Sequence, residues 1–157
     1  MQLNLMTDYA IRCCLCLAAE GKAVSSKDIC SFAGISRGFA QKILRLLRDN
    51  GVVDVTMGSH GGYSLMVPPD QLTLSEIMNI MEDTLCINRC LEEDRYCSRG
   101  AVESCPVRRF YVSVQGYLDN AFKSVTLQDL LDDAQPGQVL CCPAEDESSG
   151  ADEKKAN

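Results

Sequence analysis

The stretch that most constrains the fold is SFAGISRGFAQKILRLLRDNGVVDVTMGSHGGYSLMV, residues 31 to 67. It passes from a tight Ala33-Gly34-Ile35 turn into a segment of helical periodicity and ends in two β-rich runs around glycines. In the helical part Phe39, Ile43, Leu46 and Leu47 recur on one face. Arg37, Gly38, Gln41, Lys42, Arg45 and Arg48 fall largely on the other. Ser36 stands where an N-cap belongs, and Asn50-Gly51 is a good helix stop. Taken alone, this is an ordinary amphipathic surface helix.

The residues ahead of it change that reading. Ser25, with Asp28 three residues on, resembles a capping box and starts a helix that ends at Gly34. Two short helices across one tight turn form a helix-turn-helix, a unit whose second helix enters the DNA major groove. In that placement Gln41 reads base edges, Arg37 and Lys42 suit guanine, and Arg45 and Arg48 suit phosphates. Ser36, Gly38 and Phe39 complete the DNA-facing set on this helix. The runs Val52 to Thr56 and Tyr63 to Val67 predict a hairpin, and after a helix-turn-helix such a hairpin is a wing. Gly58, Gly61 and Gly62 suit a connection that needs positive φ. Ser59 and His60 lie at the tip, within reach of a DNA backbone; an exposed loop histidine is an equally good account of His60. A preceding helix from Thr7, as N-cap, to about Glu20 completes the order helix, helix, helix, hairpin.

Charge supports this division. The whole chain carries a net charge of −7. Residues 1 to 67 hold seven Arg or Lys against five acids, whereas residues 132 to 157 hold seven acids against Lys154 and Lys155. The basic part is the N-terminal part, and local patches govern partner choice more than the sum does. The apolar start is interrupted by Asp8 and Arg12, lacks the basic opening of a secretory signal and is too short to span a bilayer. These features predict a cytoplasmic protein with no membrane partner.

Beyond Pro68-Pro69, LTLSEIMNIMED predicts a fourth helix, with Thr73 and Glu76 spaced as a capping box and Ile77, Ile80 and Met81 facing inward. Val107, Tyr111, Val114, Leu118, Ala121 and Val125 then repeat at heptad spacing and predict a long helix with an apolar seam. That seam can pack on its own domain or on a second copy. The second is preferred, because a helix-turn-helix commonly reads two half-sites. Thr126 to Leu131 predicts a short terminal turn or helix. The fold class is therefore mainly α with a small β-hairpin: a winged helix-turn-helix over residues 1–67, then a cysteine-loop sensor region and long dimerisation helix over 68–131. Residues 132–157 form an acidic tail whose composition predicts disorder, and Cys141-Cys142 within it has no interpretable partner spacing.

Between the fourth and fifth helices lies RCLEEDRYCSRGAVESCPVRR, with Cys90, Cys97 and Cys105 in a charged loop. Ten cysteines would suit a secreted disulfide scaffold, but a reducing compartment favours buried thiols, metal ligands or redox sensors. Cys13, Cys14, Cys16 and Cys30 sit in apolar helical patterns and read as small buried hydrophobes. The loop cysteines do not. Thiolates are the standard ligands of iron–sulfur clusters, and a flexible loop lets three of them converge. Zinc favours tighter cysteine pairs. Reversible thiol oxidation needs a low-pKa thiol, which Arg89, Arg95 and Arg99 favour. No nucleotide-binding glycine motif, nucleophile elbow or acid–base pair points to an enzyme. A cluster-containing electron-transfer protein has correspondingly little support.

The pieces LMTDYAIRCCLCLA, GISRGFAQKILRLLRDNGVV, GSHGGYSL, LTLSEIMNIMED, the three-cysteine loop and VTLQDLL, in this order over residues 1 to 131, resemble the Rrf2 family of bacterial transcription regulators. The resemblance implies a homodimer with a winged helix and a long crossing helix, bound to a near-palindromic double-stranded operator. It also implies an iron–sulfur cluster, of the four-iron or two-iron type, on Cys90, Cys97 and Cys105. Operator binding would then respond to nitric oxide, oxidant or iron–sulfur status. Where some members use a histidine as fourth ligand this chain has Arg108. Asp8, in TDYAIR, matches the aspartate that other members supply from the partner subunit, and Cys86 is its local rival. The gaps of six and seven residues between the loop cysteines are longer than usual for the family, and Met57 stands where some members place a minor-groove arginine. The alternative is the same DNA-binding regulator controlled by thiol oxidation, zinc or a partner protein.

Overall fold

The computed structural model describes residues 3–58 and 61–133, so Ser59, His60 and the tail with Cys141 and Cys142 lie outside the described residues. Six α-helices and one hairpin follow in order: α1 (Leu5–Glu20), α2 (Ser26–Ala33), α3 (Arg37–Asp49), β1 (Val53–Thr56), β2 (Gly62–Leu65), α4 (Leu74–Met81), α5 (Pro106–Ser124) and α6 (Leu127–Asp132). This is the expected winged helix-turn-helix followed by a long helix.

The first helix begins earlier than Thr7. Asn4 is the cap, its side chain accepting from the Met6 amide, and Thr7 is instead wholly buried. The reason is a distant partner: the Thr7 hydroxyl donates to the Glu82 carboxylate. Ser25 caps α2 by accepting from the Asp28 amide, and Gly34 ends it in the left-handed conformation. The inward face of α3 is Ala40, Ile43, Leu44 and Leu47 rather than one including Phe39. Phe39 lies one step off that stripe, is 47 % exposed and meets Tyr9 edge to face, ring centroids 6.1 Å apart. Full burial of each leucine on the inner face stabilises the domain by roughly 1.5–3 kcal/mol.

The hairpin is antiparallel in the register Val53↔Leu65, Asp54↔Ser64, Val55↔Tyr63 and Thr56↔Gly62. A bridge between Val24 and Tyr63, with both N–H···O distances 2.8 Å, ties the wing to the α1–α2 connection. Among the wing glycines described, only Gly58 has positive φ. Gly62 is required for a different reason: a Cβ there would strike the Val24 backbone that makes the bridge.

Helix α4 carries the complete Thr73–Glu76 capping box. Leu72, Ile77 and Leu127 belong to the same buried cluster as Cys13, Cys14, Cys16 and Leu17 of α1 and Ile43, Leu44 and Leu47 of α3. The chain after Pro68-Pro69 thus completes the core of the N-terminal module. Backbone bonds Leu74 N–H to Val125 O (2.9 Å) and Leu127 N–H to Leu72 O (3.0 Å) seat α6 beside the start of α4. No described helix is long and apolar enough to cross a membrane.

The seam of α5 is shifted from the heptad expected. Tyr111, Val114, Leu118 and Val125 are half-covered by their own chain. The open apolar residues are Val107, Phe110, Val112 and Tyr117, the last 75 % exposed. Exposed Val107, Phe110, Tyr117 and Ala121, with half-covered Val114 between them, alternate at three and four residues and form one stripe that shares Val107, Val114 and Ala121 with the expected heptad.

Candidate nucleic-acid interface and cysteine loop

Because the inner face of α3 is consumed by the core, the opposite face stands free. Ser36, Arg37, Gly38, Phe39, Gln41, Lys42, Arg45 and Arg48 are all exposed. Ser36 occupies the N-cap without using its side chain for the helix, which leaves its hydroxyl to other partners. A Cβ on Gly38 would meet nothing within 4 Å, so the fold imposes no steric need for glycine there. Arg37 shares a cleft of about 370 Å³ with Ser26, Lys27 and Cys30 at the start of α2. Toward the other end of α3, Arg48 pairs with Asp49 at 2.9 Å and Arg45 with the same carboxylate at 3.6 Å. These two guanidiniums hold the Asp49 carboxyl below its ordinary range.

The N-terminal cysteines are structural. Cys13, Cys14 and Cys16 are buried in the core. Burial pushes the Cys13 thiol up to about 12 and the Cys14 thiol higher still. Cys30 is half-buried, and desolvation raises its pKa against the opposing effect of Arg37.

The loop thiols stand elsewhere. Cys86, Cys90, Cys97 and Cys105 are half-buried free thiols between α4 and α5. Cys90 sits in a 3-10 turn, Arg89–Leu91, started by the Asn88 side chain. Cys105 is the N-cap of α5, its sulfur accepting from the Arg108 amide at 3.5 Å. Cys97 precedes a turn whose Gly100 has φ +62°. Backbone amides of Ala101 and Arg99, then that of Gly100 and the Arg99 charge, lower its pKa against desolvation. Arg108 does not face the thiols as a ligand would: its Nε donates to the Cys90 carbonyl at 3.1 Å. The loop is further held by Arg89–Asp94 (3.0 Å), Arg95–Glu103 (2.7 Å) and Arg89 stacked 4.5 Å from the Tyr96 ring centre.

Asp8 lies on α1 in an ion pair with Arg12 at 2.6 Å. Arg12 also covers the Tyr9 ring and donates to the Ala33 carbonyl at 3.3 Å, beside the turn of the helix-turn-helix. The donor types suit thiolate-bound iron, since one loop thiol is held toward its anion and another caps a helix. Convergence is the missing element: among the described residues no three His, Cys, Asp or Glu side chains are grouped to hold a metal ion.

Two residues that periodicity did not single out organise the loop. Glu82, the last residue tied to α4, accepts from the Asn4 amide at 2.8 Å as well as from Thr7. Gln115 of α5 accepts from the Ile87 amide at 2.8 Å and donates to the Leu85 carbonyl at 3.1 Å. A polar residue on a long helix carries no sequence signal for a contact 28 positions away.

The profile of the Rrf2 family, described as iron-dependent transcriptional regulators, matches residues 3–133. Protein rrf2 of Nitratidesulfovibrio vulgaris is 32% identical over 136 aligned positions, with 85% of this chain and 89% of that protein covered. Among solved structures, IscR of T. potens superposes with a TM-score of 0.69 at 22% identity, covering 88% of this chain and 91% of that one. CymR, the global cysteine regulator of B. subtilis, gives 0.73 at 22% identity, covering 86% and 99%. At these identities the two structures establish the shared fold.

Proposed function

This chain belongs to the Rrf2 family of DNA-binding transcriptional regulators, and from that premise we propose a homodimer whose grip on a near-palindromic operator is set by an iron–sulfur cluster on Cys90, Cys97 and Cys105. The observation that carries the DNA-binding part is the exposed face of α3, with Arg37, Gln41 and Lys42 leading and Arg45 and Arg48 behind. Gln41, Arg37 and Lys42 are assigned to base edges, and Ser36, Arg45, Arg48 and the wing tip at Ser59 and His60 to the backbone. Gly38 and Phe39 shape the surface between them. A half-site reader of this size gains its reach from duplication, and the Val107–Phe110–Val114–Tyr117 stripe is the surface we assign to the dimer.

A bound cluster would supply an iron centre reactive toward nitric oxide and oxidants. The chain's part is to present thiolates, and the amides around Cys97 favour that form. Asp8 is the proposed fourth ligand, contributed across the dimer, and ligation would require it to exchange Arg12 for iron. Cys86 is the alternative within the same loop. Anaerobic purification with visible absorbance and iron and sulfide analysis, wild type beside Asp8→Ala, tests the assignment. The expected result is a coloured protein with labile iron in the variant. Colourless, iron-free wild type would overturn the cluster, and equal operator affinity in loaded and stripped protein would overturn sensing.

One observation favours a second reading with the same DNA-binding role. The lowered pKa of Cys97 suits reversible thiol oxidation as well as ligation. An iron-free protein whose operator affinity falls on mild peroxide treatment would select it.

A further inference from the structure

Residues 82–87 join two helices through side chains at both ends. At one end the Glu82 carboxylate holds the start of α1, accepting from the Asn4 amide (2.8 Å) and the buried Thr7 hydroxyl. A carboxylate there also complements the positive end of the α1 dipole. At the other end the Gln115 amide clasps Leu85 and Ile87, and is itself oriented by Asp119 at 2.7 Å. Only Asp83 and Thr84 separate the two attachments, and the Thr84 hydroxyl accepts from the Cys86 amide at 3.1 Å. Behind the segment is not packed core but an open cleft of about 600 Å³, lined by Asn79, Leu85, Cys86, Val112 and Gln115 among others. These hydrogen bonds therefore fix the segment at both ends, beside a cleft that leaves it room to shift.

We propose that residues 82–87 are a coupling strap, with Glu82 and Gln115 as positioning residues that make the first turn of α1 respond to the placement of α5 and the cysteine loop. The proposal rests on the regulatory reading above for its purpose, but its mechanical content stands on these contacts alone. The strap continues directly into the loop at Cys90, whose carbonyl is held by Arg108 of the same α5. A displacement of α5 or of the loop thus pulls on Glu82. Glu82 in turn holds Asn4, which caps α1, and Thr7, next to Asp8.

The test is amide hydrogen exchange on the full chain, wild type beside Gln115→Leu, Glu82→Ala and Glu82→Gln. Among the described residues the Gln115 side chain bonds to Leu85, Ile87 and Asp119, none of them on α1, so a local role for it would leave residues 5–8 untouched. The strap requires Gln115→Leu to speed exchange at residues 5–8 by roughly tenfold, about the effect of one lost hydrogen bond. The core of α1 and α3 should not change. Glu82→Ala should speed exchange at residues 85–90, and Glu82→Gln, which keeps an accepting oxygen, should restore it. Changes confined to the neighbourhood of each substitution, or spread evenly over the chain, would overturn the strap. Operator titration of loaded and stripped wild type is run alongside. A protein whose DNA affinity ignores iron defeats the sensing reading while the exchange result still decides the strap.

Discussion

Backbone amides in the turn after Cys97 lower the pKa of its thiol, and that small arrangement has a measurable consequence. The thiolate is the reactive form, so a thiol with lowered pKa reacts at lower pH. In metal-free, anaerobic protein, iodoacetamide should label Cys97 at lower pH than Cys30, whose thiol desolvation raises, and should leave Cys13 and Cys14 unlabelled until the chain unfolds. Peptide mass spectrometry across a pH series checks this; labelling of Cys30 at the same pH as Cys97 would contradict it. Gly100→Ala should move the Cys97 profile upward, since an alanine at φ +62° costs about 1–2 kcal/mol and the turn opens. Gly38 poses the opposite case. Alanine there meets no atom of the protein, so Gly38→Ala should raise stability by about 0.5–1 kcal/mol through helix propensity. It should weaken operator binding if α3 approaches the groove there. Thermal unfolding and gel-shift on one variant separate the two effects. These residues show where sequence reading stops. The cysteines were legible as a group apart, but which of them is held toward its anion depends on loop amides that no spacing encodes.

Helix α3 divides cleanly into a buried apolar face and an exposed, largely cationic one. Leu44→Ala, at a site with no solvent exposure, should cost about 2–5 kcal/mol and unfold the module cooperatively, as denaturant titration will show. On the other face Asp49 pairs with Arg45 and Arg48 and so competes with phosphate for both guanidiniums. Asp49→Asn should leave folding nearly unchanged, because exposed pairs contribute little. It should tighten DNA binding, with a log-log salt dependence steeper by about one to two. An unchanged slope would mean that neither arginine reaches the backbone. The exposed cationic face was readable because charge and helical period agree over Arg37 to Arg48. Phe39 was misplaced on the inner face because a period of 3.6 leaves flanking positions undecided until a neighbour is present. Here Ala40 and Leu44 meet the core, and Phe39 is left against Tyr9.

At the scale of the molecule, the open stripe on α5 is the surface on which the proposed dimer depends. Tyr117→Glu should give folded monomers by sedimentation and lower operator affinity at least tenfold, since one half-site is lost. A dimer that survives the substitution would place the interface elsewhere. Periodicity foretold a long apolar helix but not which stripe lies open, since that depends on how α5 packs against α4 and the turn at Arg89–Leu91. The sequence by itself determined the order of helices and hairpin, the capping box at Thr73 and the cationic face of α3. Each of these depends on residues within a turn or two of one another. Only the tertiary structure decided that Leu72, Ile77 and Leu127 complete the N-terminal core, and that Thr7 and Asn4 answer to Glu82. It alone decided that Gln115 grips the start of the cysteine loop. Those contacts join residues far apart in the chain, and their partners are selected by how whole helices pack rather than by any local pattern.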